Sequence, residues 1–125
     1  MKFGVERLVE DLKSLGFNNV TVIEDKANNV YALIPKYQIP AGSFAGRFID
    51  LAIPAPSQYP QQFGASIHIK AEPPLVEKVP VHNVRNVIDS DLGTDWQYWS
   101  YRFNVGPMNP TAEFISQING IFRKN

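Results

Sequence analysis

The hydrophobic pattern changes period along the chain, and that change limits the folds open to it. From Phe3 to Leu15 the apolar residues Val5, Leu8, Val9, Leu12 and Leu15 recur at helical spacing. Glu6, Glu10, Asp11 and Lys13 fall mostly between them, which predicts an amphipathic helix with one buried face. Gly16 is a natural stop, because glycine enters the left-handed conformation that closes helices. Beyond it the pattern becomes strand-like. Val20–Glu24 is rich in branched residues, and Val30–Pro35 forms a second run after the polar loop Asp25–Asn29. In Arg47–Pro54, Ile49, Leu51 and Ile53 share one face while Phe48, Asp50 and Ala52 take the other. In Ala65–Lys70, Ala65, Ile67 and Ile69 alternate with Ser66, His68 and Lys70. Short runs with tight links predict a four-stranded antiparallel β-meander.

Regular structure is then lost. Ala71–Asp95 contains Pro73, Pro74 and Pro80 and shows no sustained period, so a long irregular crossing is expected there. An aromatic block, Trp96–Phe103, follows it. Asn109 can cap a final helix with Pro110 at its first position, and Phe114, Ile115, Ile118, Ile121 and Phe122 supply its apolar stripe. Helix, four strands, crossing and helix make an α+β plan in which the helices cover one sheet. A chain of 125 residues fits a single domain over residues 1–125.

Charge and cysteine content narrow the function. Twelve basic and twelve acidic residues cancel, and Lys2, Lys13, Lys36, Arg47, Lys70, Arg85 and Arg102 form no run. Affinity for nucleic acid or an anionic membrane comes from clustered cations, so neither is an expected partner. The chain has no cysteine, which excludes disulfides, thiolate metal sites and thiol nucleophiles together. Glu6, Arg7, Glu10, Asp11 and Lys13 interrupt any apolar signal core, and no apolar run nears the ~20 residues of a membrane helix. A cytoplasmic location is expected.

Three local features carry a resemblance. Tyr59-Pro60 follows the strand RFIDLAIP, His82-Asn83-Val84 sits in the crossing, and Trp96-Gln97-Tyr98-Trp99-Ser100 precedes the last helix. In this order they resemble the ubiquitin-conjugating (E2) fold and its relatives: inactive E2 variants, RWD domains and, most similar, the prokaryotic E2-like proteins. The resemblance implies that Tyr59-Pro60 takes the place of the family's YPxxPP turn and His82-Asn83 that of His-Pro-Asn. Phe63-Gly64 stands where the paired prolines would be, and the proline between His82 and Asn83 is missing. Where E2 enzymes place their cysteine, this chain reads Ser90-Asp91-Leu92. A serine would form an oxyester, a poorer acyl donor than a thioester, and needs a base to activate it. Thioester-forming activity is therefore not carried over.

Several residues invite a role. Tyr59, Pro60, Phe63, Trp96 and Trp99 are the candidates for a partner-facing surface. Against that, Pro60 can fix a turn while the Tyr59 ring packs on the sheet edge, its hydroxyl bonded to backbone. Trp96 and Trp99, three apart, can share one face of a short helix that roofs the sheet. Ser90 is the weak candidate nucleophile with His82 as its base, and Asn83 the candidate oxyanion group. His68, between Ser66 and Lys70 on a polar strand face, reads as a solvated or cross-strand residue. Asp89, Asp91 and Asp95 miss calcium-loop spacing, because Gly93 comes one place early and Ser100 stands where a bidentate Glu belongs. Gly42 and Gly46 lie in no nucleotide-loop context, so neither metal nor cofactor is expected.

The resemblance thus implies a non-catalytic adaptor in a bacterial ubiquitin-like or related pathway. A ubiquitin-like protein or an E1-like enzyme would be its partner. The alternatives are a hydrolase or acyl transferase using Ser90, or a structural subunit of a larger assembly.

Overall fold

A computed structural model describes residues 3–59, 61, 66–72, 87–90, 92–101, 103 and 109–123. The first helix, α1 (Val5–Ser14), buries Leu8 and Leu12 and leaves Val5 and Val9 half-buried, as its spacing predicts. Arg7 and Asp11, one turn apart, pair at 2.8 Å. Gly16 takes φ 104°, and the N–H groups of Gly16 and Phe17 bond to the carbonyls of Lys13 and Leu12. These two bonds form the Schellman closure that satisfies the helix's last carbonyls.

Six strands follow: β1 (Thr21–Glu24), β2 (Val30–Gln38), β3 (Phe48–Pro54), β4 (Ser66–Lys70), β5 (Val87–Ser90) and β6 (Gly93–Ser100). All pair antiparallel in one sheet of order β1-β2-β3-β4-β6-β5. The meander expected from the sequence is its first four strands. Pro35 cannot donate to a ladder, and the register between β2 and β3 shifts there, with Lys36 at φ 54°. The final helix, α2 (Pro110–Arg123), starts at its proline as expected.

Two expectations are corrected. The far end of the supposed irregular crossing is regular, since Val87–Ser90 and Gly93–Asp95 belong to the β5–β6 hairpin. The aromatic block is not helical either. Trp96 and Trp99 lie in β6, where successive side chains alternate, so an interval of three puts them on opposite faces. Pro73, Pro74 and Pro80 lie outside the described residues.

Both helices cover the same face of the sheet. Ile34, Ile49, Leu51, Ile53, Ile67, Ile69 and Trp99 point to it and cluster with Leu8 and Leu12 of α1 and Phe114, Ile118, Ile121 and Phe122 of α2. Gly42 lies so close to the end of α2 that a Cβ there would sit 1.8 Å from the Phe122 carbonyl oxygen. Only glycine fits that approach at φ 84°. The opposite, outer face carries a smaller cluster of Tyr31, Ala52 and Trp96, with Ile23, Leu33 and Leu92 against it.

Candidate functional site

Alternation along the strands sorts the candidate residues between the two faces. Tyr59, in the turn after β3 and outside any strand, packs on the helix side and is fully buried. Its hydroxyl donates to Thr111 Oγ1 at 2.7 Å, and Thr111 in turn donates to Asp11 Oδ2 at 2.7 Å. The hydroxyl therefore meets an α2 side chain rather than the backbone partner expected. Burial pushes the phenol up to about 12, the Thr111 bond offsetting only part of that rise. Tyr37 ties the sheet to α2 in the same way through Asn119, and burial takes it also to about 12. These two phenols lock the helix layer onto the sheet.

Trp99 is likewise a core side chain, with its indole N–H donating to Gln97 Oε1 at 3.1 Å. As fully buried groups, Tyr59 and Trp99 present no surface to a partner. Trp96 faces outward but is 9% exposed, beneath the ammonium of Lys70 at 6.0 Å from its ring. Lys70 also pairs with Asp95 at 3.2 Å. Pro60, Phe63, His82 and Asn83 lie outside the described residues.

The outer face holds the most developed polar arrangement among the described residues, and His68 is its centre. Position 68 in β4 faces Ala52 of β3 and Tyr98 of β6. Rather than being solvated, His68 is 3% exposed. Its Nδ1 lies 2.6 Å from Ser90 Oγ and its Nε2 lies 3.2 Å from Ser66 Oγ. The rings of Tyr31 and Tyr98 stand edge-on to the imidazole, with centroids 4.8 and 5.2 Å away. Leu92 N–H donates to Ser90 Oγ at 3.1 Å, across the turn that joins β5 to β6.

Tyr31 extends this arrangement to the β1–β2 turn. Its hydroxyl donates to Asp25 Oδ2 at 2.7 Å. Asp25 Oδ1 also accepts the N–H groups of Ala27 and Asn29, and Oδ2 the Asn29 amide. Burial raises this carboxyl, but the bonds from Tyr31, Asn29 and Ala27 outweigh it and hold the pKa below 3.8. Asp25 thus stays charged and fixes the Tyr31 ring against His68.

The sequence identified Ser90 but not its partner. The structure brings Ser90 to His68, which is twenty-two residues earlier. Ser66-x-His68 on one face of β4 carried no distinct signal for this, because two polar residues are also what a plain solvent face shows. A groove of about 220 Å³ lies further along the same side, lined by Lys36, Phe48, Asp50, Lys70, Glu72 and Asp95. Phe48 stands at its rim, 59% exposed. Among the described residues no group of three His, Asp or Glu side chains is placed to hold a metal. None of the helices described is long and apolar enough to cross a membrane.

Comparison with known proteins places the chain's sequence in a family. The family model for prokaryotic E2 family E matches residues 7–118. No curated protein matches the chain, and no solved structure does.

Proposed function

The chain belongs to prokaryotic E2 family E, and from that membership we propose that it works as an adaptor in a bacterial ubiquitin-like or related pathway. It recognises a ubiquitin-like protein or an E1-like enzyme instead of carrying the modifier as a thioester. The single observation behind this reading is the absence of cysteine anywhere in the sequence. A thioester needs a thiolate, and no other side chain forms one.

Recognition then rests on surface rather than chemistry. The loop after β3 offers exposed Ser57 and Gln58, while its Tyr59 is spent on the core. Phe48 adds an exposed ring on the outer face. Large aromatics at the rim of a groove anchor partners well, because they bury much apolar area at little entropic cost.

The test is direct binding. The purified chain is titrated with the ubiquitin-like protein and the E1-like enzyme of its own source organism, alongside Phe48→Ala and Ser57→Arg. Saturable binding to either protein, weakened by a surface variant whose thermal melt is unchanged, is the expected outcome. Binding to neither would remove the adaptor reading and leave the family assignment standing.

A further inference from the structure

The two edges of the sheet are not alike. β5 is broken by a register shift between Asp89 and Ser90, whereas β1 pairs regularly along its whole length. Where β1 turns into β2, Asp25 N–H donates to the Asn29 carbonyl at 3.0 Å. Bonded pairs alternate along an antiparallel ladder, so Ile23–Tyr31 and Thr21–Leu33 are the bonded pairs that follow. The N–H and C=O groups of Val22 and Glu24 therefore point away from β2. Among the described residues no backbone bond from elsewhere reaches them. Val22 is 51% exposed, and Glu24 is exposed as well. The sequence of β1, TVIE, has neither the lysine nor the proline that commonly blunts an edge strand.

We infer that β1 is the pairing edge for a second copy of this chain, joined antiparallel about a two-fold axis at Ile23. In that register Val22 of each copy faces Glu24 of the other, and the outward N–H and C=O groups of both residues find partners on both sides. Ile23 faces its own counterpart in a non-bonded pair, where side chains across a ladder come closest. Ile23 already packs against the outer cluster of Tyr31, Ala52 and Trp96, so that apolar row runs on from one copy into the next.

The edge itself selects this occupant. The next position in the alternation, Val20, is 6% exposed, so a longer foreign strand finds nothing to pair with there. A second copy offers the same two residues and leaves no group over. Twelve basic and twelve acidic residues cancel, so no net charge holds two copies apart. The contact is isologous and closes on itself, giving a dimer rather than a fibre. Both outer faces then lie on one side of a continuous sheet. This pairing does not depend on the adaptor reading.

The experiment follows the whole chain over a concentration series by analytical ultracentrifugation, with amide exchange read by NMR on the same samples. A monomer–dimer equilibrium is expected. The Val22 and Glu24 amides should exchange about 10-fold more slowly once the chain is at about ten times the dimer Kd. The Ile23 amide, bonded to Tyr31 in either state, should not respond to concentration. Val22→Pro removes an outward donor and no bond to β2, so it should abolish the dimer while the melt stays in place. Should that variant lose its fold, a charge pair tests the register instead. Val22→Glu sets like charges opposite each other and should weaken the dimer roughly 5- to 10-fold, and adding Glu24→Lys should restore it. A chain that stays monomeric up to about 1 mM would overturn the inference. So would a dimer in which the Val22 and Glu24 amides stay unprotected, or one that Val22→Glu leaves unchanged.

Discussion

The two faces of the sheet solve burial by opposite means. Toward the helices, Ile49, Leu51, Ile67, Ile69 and Trp99 meet apolar side chains of α1 and α2. That contact is non-directional, and its strength follows the area removed from water. On the outer face, Ser66, His68 and Ser90 are buried together, with Asp25 behind Tyr31. Buried polar groups stand only where geometry gives them partners. The first face supplies stability that tolerates small shifts, whereas the second supplies a fixed arrangement that does not. A candidate site belongs on the second.

Two tryptophans in one strand allow the largest test of this contrast. Trp99 is 0% exposed among the helix-side residues, and Trp96 is 9% exposed in the small outer cluster. Trp99→Ala should cost about 3–5 kcal/mol, the range for a large core aromatic. Trp96→Ala should cost about 1–2 kcal/mol, because solvent and the Lys70 stem can relax into part of the space. Urea unfolding of both variants measures this. Equal losses would mean that the outer cluster is a second core, and the division of labour drawn above would fail.

The same pair shows what the sequence could and could not disclose. Val5, Leu8 and Leu12 announce α1 through spacing within a single helix, and Ile49, Leu51 and Ile53 do the same for β3. These are local signals. Trp96 and Trp99 satisfy a helical interval and a strand alternation alike, and the choice is made by pairing with β4, where Trp99 faces Ile67. The partnership of Ser90 with His68 is hidden for the same reason. It depends on β6 lying between β4 and β5, an order that no local pattern encodes. Tyr59 was legible as a turn residue, but its bond to Thr111 spans fifty-two positions.

A middle-sized effect is expected where the two layers are bolted together. Tyr59→Phe keeps the ring against Phe114 and removes only the hydroxyl. Thr111 retains its bond to Asp11, so no buried group is orphaned and the loss should be about 1 kcal/mol. The phenol also gives the helix side a pH signature. Its folded pKa, about 12, lies above the ordinary 10.0, so its contribution is complete below pH 10 and declines as pH rises toward 12. Tyr37 acts in the same direction. Phenolate absorbance should therefore rise together with unfolding in an alkaline titration. Ionisation of all five tyrosines at the ordinary value in a folded chain would mean that the helix layer does not seal these groups.

The outer face should carry the opposite signature, and the smallest effect. Asp25 is held below 3.8, so the native state favours its carboxylate. Its contribution is present above that value and is lost as pH falls through the lowered one. Asp25→Asn should flatten the acid limb of the stability curve. At neutral pH it should cost about 0.5 kcal/mol or less, because asparagine keeps an acceptor oxygen for the turn. The instructive readout is not stability but the NMR shifts of the His68 ring. Asp25 anchors the Tyr31 hydroxyl, and the Tyr31 ring flanks His68. If the outer face is one connected frame, loosening that anchor moves those ring shifts while the melt barely moves. If the shifts are untouched, Asp25 merely closes the β1–β2 turn, and the frame around His68 ends at its two serines and two tyrosine rings.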